Sequence, residues 1–222
     1  MVKRLSASDI VYDEIKKKII ELEYEPEKTL NEEMLTNEVG VSRTPLRQAL
    51  YRLELEGLVI KKSNGRIHVA PVSIQEAEEI FKVREVLEGL IVREATTRIT
   101  YEEIIELENT MQLMTLAAEN GRIYDSVRYG SEFHHILYKP SGNQIAVQFL
   151  DQLNSRLERY RRFSGYKNPK YQPMVSVQEH QEILNCIKKG DADLAEKTMR
   201  AHIRRSLEVT KETLKIVMKK NN

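Results

Sequence analysis

The chain has 222 residues, of which 41% are hydrophobic, and a formal net charge of +1, which is enough sequence for two modest domains with a core each. No segment approaches the roughly 18 to 20 consecutive apolar residues of a membrane helix, the first residues lack the apolar run of a secretory signal, and the single cysteine, Cys186, excludes an internal disulfide. We therefore expect a globular protein of the cytoplasm, and the near-neutral charge disfavours a protein that coats DNA along its whole surface.

The first sixty residues carry the pattern of three short helices. Apolar residues recur at helical spacing over 8–23, and a second helix begins after Asn31 and ends at Gly40, a residue suited to a left-handed stop. A third helix begins near Ser42 and ends at Gly57. The link between the second and third helices is so short that it predicts a helix-turn-helix arrangement, which leaves the third helix exposed on the domain surface.

A β-hairpin is predicted directly after the third helix. Two short β-rich runs, at 58–62 and 66–70, flank the turn Ser63-Asn64-Gly65, and Asn-Gly between such runs is a strong hairpin signal. Over residues 41–70 the chain has six basic side chains against two acidic ones. This local positive charge is what phosphate binding requires, so we interpret the hairpin as the wing of a winged helix.

A second, wholly helical domain is predicted beyond Pro71, where Ser73 and Glu76 form a capping box. We place the domain boundary between residues 71 and 72, so that 1–71 form the first domain and 72–222 the second. The second domain is expected to contain six helices, at about 74–98, 101–119, 122–139, 143–163, 173–188 and 191–218. Short connections make neighbouring helices antiparallel. The fold class is therefore mainly α, with an N-terminal winged helix-turn-helix and a C-terminal antiparallel six-helix bundle.

The third helix carries the residues expected to read DNA. Arg43 and Arg47 are four apart and share a face with Thr44, whereas the leucines of this helix lie on another face. The first turns of such a helix reach base edges in the major groove, and flanking groups hold phosphates. The candidate phosphate contacts are Ser42, Arg52, Lys61, Lys62 and Arg66.

The same segment resembles the GntR family of bacterial regulators. The matching residues read GVSRTPLRQAL at 40–50, RL at 52–53 and EGLV at 56–59, and upstream LNEEML at 30–35. The resemblance implies a winged helix in which Arg43 and Arg47 are the principal DNA contacts. It also implies that Asn64 and Gly65 lie near the tip of the wing.

Three histidines lie on the apolar faces of three predicted helices. These faces have steps of three and four residues and are formed by Ile123, Val127, Gly130, His134 and Leu137; by Val177, His180, Leu184 and Ile187; and by Ala195, Met199, His202 and Val209. One interpretation is that each histidine is an ordinary core residue. The other is that three neutral imidazoles converge inside the bundle and form a transition-metal site.

Residues 74–210 resemble the FCD sensor domain of the FadR branch of GntR regulators. The matching pieces are REVLE at 84–88, EFH at 132–134, LY at 137–138, SGN at 141–143, EHQEI at 179–183 and MRAH at 199–202. The resemblance implies that His134, His180 and His202 bind a divalent metal, with an aspartate four residues before the first histidine. That position is Gly130 here. Two interpretations remain open: a weaker three-histidine site for Zn²⁺ or Ni²⁺, or a sensor that has lost its metal.

The effector site is the second implication of the same resemblance. It places Arg84 in the effector cavity, where a guanidinium would bind an organic carboxylate, although a salt bridge to Glu88 four residues on explains Arg84 equally well. Arg161 is a weaker candidate for the same role, because the basic run at 159–162 is better interpreted as a solvated face.

The sequence thus predicts a non-enzymatic transcriptional repressor or activator that binds operator DNA as a homodimer and senses a small effector, an organic acid. One alternative is a metal-dependent hydrolase with a DNA-binding appendage, since three histidines also describe catalytic zinc. Another is a pure metal sensor.

Overall fold

The computed structural model describes residues 6–220 and divides into two compact units. One unit runs through Val72 and includes Leu153–Arg159, and the other contains Ser73–Gln152 and the chain from Tyr160 onward. The predicted fold class, mainly helical with an N-terminal winged helix, is confirmed. Within the described residues, no helix is both long and apolar enough to cross a membrane.

Three helices form the core of the first unit: α1 (Ala7–Ile20), α2 (Glu32–Val39) and α3 (Arg43–Leu55). Asn31 caps α2, because its side-chain oxygen accepts from the amide of Glu33 at 2.8 Å. Gly40 ends α2 with a φ of 69°, in the left-handed region where a side chain would be strained. The chain therefore turns within the three residues 40–42 and enters α3. The buried faces of these helices share one apolar cluster.

A three-stranded antiparallel sheet completes this unit, with strands β1 (Thr29–Leu30), β2 (Val59–Lys61) and β3 (Ile67–Val69) in the order β1-β3-β2. The β2–β3 hairpin is the predicted wing. Strand β1 was absent from the sequence prediction, because two residues carry no periodic signal and are held only by pairing with β3. Gly65, at the hairpin turn, has a φ of 77°, which explains the Asn-Gly sequence there.

The second unit contains helices only, within the described residues: α4 (Ile74–Thr96), α5 (Tyr101–Glu119), α6 (Ile123–Ile136), α7 (Tyr138–Ser141), α8 (Gln144–Lys167), α9 (Pro173–Lys188) and α10 (Ala192–Lys220). The six predicted helices are all present, but the third ends earlier than expected. The predicted helix over 122–139 ends at Ile136, and a separate turn of helix, α7, follows it. The domain therefore has one more helix than the predicted bundle of six.

A glycine brings α6 close to α8. A Cβ atom on Gly165 would lie 2.7 Å from Cγ2 of Val127, which is closer than two carbon atoms can approach. Helix α6 also packs against α5 and α9, and α10 packs against α4 and α9. The inner faces of these helices thus meet around the buried residues of α6, which border a cavity.

Candidate functional site

The exposed face of α3 carries the predicted DNA-reading residues. Arg43, Thr44 and Arg47 are exposed, and Leu46 and Leu50 are fully buried against the core of the first unit. Ser42 is the N-cap residue of α3, and its side chain makes no capping hydrogen bond. Because the first turn of a helix leaves amide groups without intrahelical partners, this end of α3 offers donors suited to phosphate.

Arg47 has a partner that the sequence prediction missed. Its Nε and Nη2 atoms lie 3.0 Å from Oε1 and 3.0 Å from Oε2 of Glu32, a bidentate pair between α3 and α2. The pair is solvent-exposed, since the Arg47 side chain is 64% accessible. The carboxylate fixes the direction of Arg47 and neutralises part of its charge.

The remaining predicted DNA contacts lie in two places. Lys61, Lys62 and Arg66 are exposed at the wing, where the side chain of Asn64 accepts from the amide of Arg66 at 3.0 Å. Arg52 is not brought to the face of Arg43. Its Nη1 atom lies 2.8 Å from Asp9, and its guanidinium covers the ring of Tyr12 at 3.8 Å, so Arg52 joins α3 to α1.

The three predicted metal-binding histidines are brought together in the second unit. His134 on α6, His180 on α9 and His202 on α10 are each at most 5% exposed. One nitrogen from each ring lies within 4.8 Å of the other two. The side chains of three helices therefore converge in one place, which the metal-site interpretation of the sequence required and the core-residue interpretation did not.

The partners of each ring determine which nitrogen faces the cluster. Nδ1 of His180 lies 2.7 Å from the carbonyl oxygen of Ser176, and Nδ1 of His202 lies 2.7 Å from Oε2 of Glu179. Both Nδ1 atoms must therefore donate, which leaves Nε2 with a lone pair. Nε2 of His180 has no hydrogen-bond partner among the described residues. This arrangement, with an acceptor behind each ring, is typical of metal-ligating histidines.

His134 lies between a buried carboxylate and a buried guanidinium. Its Nδ1 atom contacts the carboxylate of Glu88, and its Nε2 atom lies 3.2 Å from Nη2 of Arg84. Arg84 also forms the salt bridge that the sequence allowed, with Nε 2.6 Å from Oε1 of Glu88. Both proposed roles of Arg84 thus remain compatible, since it pairs with Glu88 and also lines the cavity.

Burial keeps the three imidazoles neutral. It lowers the pKa of His134 to about 3, against the opposing influence of Glu88. Burial, and then the proximity of the other two rings, hold the pKa of His180 well below its usual value. Burial also lowers the pKa of His202, although the hydrogen bond with Glu179 opposes this. Neutral imidazole is the form that binds a metal ion.

Gly130 faces the histidine cluster. A Cβ atom there would lie 3.8 Å from Nε2 of His180 and 3.4 Å from Cε of Met114, which are ordinary contact distances. A side chain at this position would therefore point towards the cluster without a clash. The carboxylate implied by the FCD resemblance would fit here, and this chain lacks it.

A cavity of about 60 Å³ adjoins the histidines. Its walls include Arg84, Arg161 and Arg205, several serines and the three histidines, and they include no Asp or Glu within the described part of the chain. The interpretation of 159–162 as a solvated face is wrong: the Arg161 side chain is 10% exposed and Arg159 is fully buried. Arg84 and Arg161 are the buried arginines that line the cavity, and their burial there favours an anionic ligand.

Sequence reasoning missed the roles of two charged groups of this site, Glu179 and Arg205. Glu179 orients His202 and also contacts Arg205. Glu179 directly precedes His180, so the sequence could indicate that it lies near the cluster. It could not indicate that its partner is His202 on another helix. Arg161 was only the weaker of two effector candidates, because periodicity within a basic run could not separate an inward arginine from outward ones.

Comparison with known families gives two matches. Residues 79–205 match the FCD domain, and residues 7–69 match the bacterial regulatory proteins of the gntR family. The chain is 27% identical over 204 residues to the HTH-type transcriptional regulator YdhC of Bacillus subtilis (strain 168), covering 91% of this chain and 90% of that protein. It is 24% identical over 194 residues to the HTH-type transcriptional repressor RspR of Escherichia coli (strain K12), covering 87% of this chain and 84% of that protein.

Solved structures share the fold. E. coli McbR/YncC superposes with a TM-score of 0.76 at 20% identity, covering 99% of this chain and 100% of that one. A transcriptional regulator GntR from Rhodococcus sp. RHA1 superposes with a TM-score of 0.77 at 16% identity, covering 93% and 98%. The matched families and the relatives named above are transcriptional regulators and not enzymes, so the hydrolase alternative is not supported.

Proposed function

This chain belongs to the GntR family of bacterial regulatory proteins and carries an FCD domain, and we propose that a small organic acid, bound in the cavity of the second unit, controls its affinity for operator DNA. The observation that carries the proposal is the cavity itself, in which three arginines and three histidines converge with no opposing carboxylate on the wall within the described residues. Glu88 and Glu179 pair with these arginines but are not part of the cavity wall, and a carboxylate ligand would add acceptors on the cavity side.

The first unit is proposed to bind the operator through α3 and the wing. Arg43, Thr44 and Arg47 would enter the major groove, and Ser42, Arg66 and the wing tip at Asn64 and Gly65 would contact phosphates. The support is the exposure of all these residues on one helix end and one hairpin.

The three histidines are proposed to hold a divalent transition metal, Zn²⁺ or Ni²⁺. They fit such an ion, because each Nδ1 faces an acceptor and Nε2 of His180 is unpartnered among the described residues. When bound, the metal would supply positive charge and open coordination positions for a carboxylate. The protein side chains hold and orient the imidazoles, and burial keeps them unprotonated.

A homodimer is proposed as the DNA-binding form, because helix-turn-helix proteins read paired half-sites. Helices α4 and α8 expose large apolar side chains that suit a second copy, among them Val86 at 53% and Phe149 at 53%. Light scattering after size exclusion should give twice the chain mass of 25.9 kDa. A monomer that still binds paired half-sites cooperatively would contradict this proposal.

The first test is the metal content of full-length protein purified without a histidine tag or added metal. We expect about one equivalent of Zn or Ni by elemental mass spectrometry, and none in a His134→Ala, His180→Ala double variant. His135→Ala is the matched control, because His135 neighbours His134 but is not part of the cluster. No metal in any of these proteins, even after incubation with each ion, would show that the histidines are core residues or contact the effector directly.

The second test addresses control of DNA binding. An operator is first selected from a random duplex library with the wild-type protein, and its release is then measured by fluorescence anisotropy as organic acids are added. Release by at least one acid, lost in the Arg84→Met variant, is expected. A selected operator that no acid releases or tightens would contradict the proposed effector class.

A further inference from the structure

A groove of about 500 Å³ lies between helix α3 and the β2–β3 hairpin of the first unit. Its floor contains the apolar side chains of Leu50, Val59 and Ile67, of which the first two are each 2% exposed. Tyr51 on α3 and Lys61 on the hairpin also line the groove, and both are exposed. The groove therefore separates the two elements that are proposed to contact DNA.

Tyr51 continues the DNA-reading face of α3. Arg43, Arg47 and Tyr51 follow each other at steps of four residues, so their side chains lie along one face of the helix. Tyr51 is 61% exposed, and its hydroxyl group makes no hydrogen bond to the protein within the described residues. A phenol hydroxyl can both donate and accept. Tyr51 thus presents a hydrogen-bonding group on the same face as the two arginines.

The geometry of a duplex determines what would enter this groove. A recognition helix fits the major groove, and the hairpin beside it approaches the neighbouring minor groove. One sugar-phosphate backbone separates these two grooves of the duplex. With α3 and the hairpin placed on DNA as proposed, one strand therefore crosses the space between them, and its phosphates pass Tyr51 and Lys61.

The charges around the groove suit a neutral donor at position 51. Glu32 and Glu54 also line the groove. Glu32 is paired with Arg47, and Glu54 follows Tyr51 by three residues on α3. A lysine at position 51 would form an ion pair with Glu54 at this spacing. A phenol hydroxyl carries no formal charge, and tyrosine is one of the side chains that donate to phosphate oxygens.

We propose that this groove holds the backbone of one DNA strand and that the hydroxyl group of Tyr51 hydrogen-bonds one of its phosphates. The inference rests on the proposed binding of operator DNA, to which it adds a surface and a positioning residue. Lys61 approaches the same strand from the hairpin and supplies the positive charge. Because every nucleotide has a phosphate, the contact positions α3 in the major groove and does not distinguish sequences.

Tyr51→Phe tests the hydrogen bond, because it removes one exposed hydroxyl group and leaves the ring in place. Fluorescence anisotropy is measured with full-length protein on an operator selected with the wild type and on a random duplex. We expect both affinities to fall by a similar factor of about 5, as for the loss of one ordinary hydrogen bond. The slope of log affinity against log salt should not change, because a neutral group releases no counterion.

Two further variants are the controls for this measurement. Lys61→Met removes a charge from the same groove, so it should weaken binding and also reduce the salt slope by roughly 0.9. Tyr101→Phe removes the hydroxyl group of an exposed tyrosine on α5 and should bind both duplexes as the wild type does. A loss in Tyr101→Phe equal to that in Tyr51→Phe would overturn the inference, because the effect would not belong to the groove.

Modified operators locate the contact on the DNA. Methylphosphonates are introduced one at a time into the selected operator, so that one phosphate in each duplex loses a charged oxygen atom. At the phosphate that lies in the groove, this change should weaken binding of the wild type but cost Tyr51→Phe much less. Equal costs in the two proteins at every phosphate would mean that Tyr51 touches no backbone, which overturns the inference.

The outcomes distinguish this inference from the proposed function. If the wild type binds a selected operator and Tyr51→Phe binds both duplexes equally well, the inference is overturned and operator binding stands. If Tyr51→Phe weakens binding to the operator alone, Tyr51 reads a base and the phosphate contact is overturned. If the wild type selects no operator, both fail. A lower melting temperature for Tyr51→Phe would show that the hydroxyl group has a partner in the protein and would also overturn the inference.

Discussion

Nη2 of Arg84 lies 3.2 Å from Nε2 of His134. The guanidinium therefore donates a hydrogen bond to the lone pair that His134 would offer to a metal ion. The other nitrogen of that ring faces Glu88, so Nε2 is the atom that would ligate a metal ion. Arg84 and a metal ion therefore cannot use His134 at the same time. If metal binding displaces Arg84, the freed guanidinium becomes available to an anion, and by linkage an anion that holds Arg84 must strengthen metal binding equally.

Replacing Arg84 by methionine should therefore tighten metal binding in the absence of any organic acid. The substitution removes both the competitor for Nε2 of His134 and a buried positive charge beside the site. We expect a gain of about 10-fold in affinity for Zn²⁺, a magnitude typical of groups around a metal site. Competition with a chromophoric chelator measures it.

Arg161→Met is the matched control for this prediction. It also removes a positive charge from the cavity wall, and Arg161 contacts Glu88 at 3.5 Å. Arg161→Met should therefore show the part of the gain in Zn²⁺ affinity that comes from the lost positive charge. It should not show the part that comes from freeing Nε2 of His134. Equal gains in both variants would mean that charge alone, and not competition for the ring nitrogen, explains the result. Circular dichroism is needed for both proteins, because each loses a partner of a buried carboxylate.

A carboxylate at position 130 should restore the metal ligand that this chain lacks. A Cβ at Gly130 would lie 3.8 Å from Nε2 of His180 and meets no clash, so Gly130→Asp should fold and should bind Zn²⁺ at least about 10-fold more tightly than wild type. Gly130→Asn has nearly the same shape without the charge and should gain much less. Similar affinities for the two variants would mean that position 130 does not reach the metal.

The stability of the metal-free protein should fall as the pH drops below about 6.5. The folded state holds His134, His180 and His202 neutral, because burial lowers each pKa, but the unfolded chain protonates them near pH 6.5. The unfolded state therefore binds more protons, and the free energy of unfolding decreases towards acid by up to about 1.4 kcal/mol per pH unit for each proton.

Urea unfolding in the presence of a chelator, at pH 7.5, 6.5 and 5.5, measures this dependence. Carboxylate groups add their own contribution only at lower pH, so this window isolates the histidines. A His134→Gln, His180→Gln variant should show a shallower slope than wild type. The same slope in both proteins would exclude these histidines as its source.

Local signals in the sequence were sufficient for the elements but not for the polar partners. Gly40 and Gly65 predicted the turns of the first unit because both have a left-handed backbone, which favours glycine. The convergence of three histidines followed from helical periodicity, which places every fourth or third residue on one face. The pairs of Glu179 with His202 and of Glu32 with Arg47 join different helices, and no spacing along one helix indicates them.

Arg52 and Arg43 should respond in opposite ways to substitution. Arg52 is held by Asp9 and the ring of Tyr12, so Arg52→Met should lower the melting temperature slightly, as the loss of an exposed ion pair and a cation–π contact does. Arg43→Met should leave stability unchanged and weaken binding to a selected operator. If Arg52→Met and Arg43→Met lose the same operator affinity and both keep the stability of the wild type, Arg52 contacts DNA and the prediction is wrong.

Glu32 restrains Arg47, so neutralising it should strengthen binding to DNA of any sequence. Glu32→Gln removes a negative charge near the phosphates and releases a bidentate arginine. We expect higher affinity for a random duplex and a steeper salt dependence, by up to roughly 0.9 in the logarithmic slope for one additional phosphate contact. Fluorescence anisotropy between 50 and 200 mM salt measures both, conditions typical for such titrations.

Glu33→Gln separates this effect from a general change of charge. Glu33 neighbours Glu32 on α2 and is exposed, but the pair with Arg47 belongs to Glu32. Both variants reduce the negative charge by one, so both should bind random DNA somewhat better, and only Glu32→Gln should also lose discrimination between the selected operator and a random duplex. That loss follows because an arginine without its carboxylate is no longer directed at one base edge. Unchanged discrimination in Glu32→Gln would mean that the pair orients Arg47 only in the free protein.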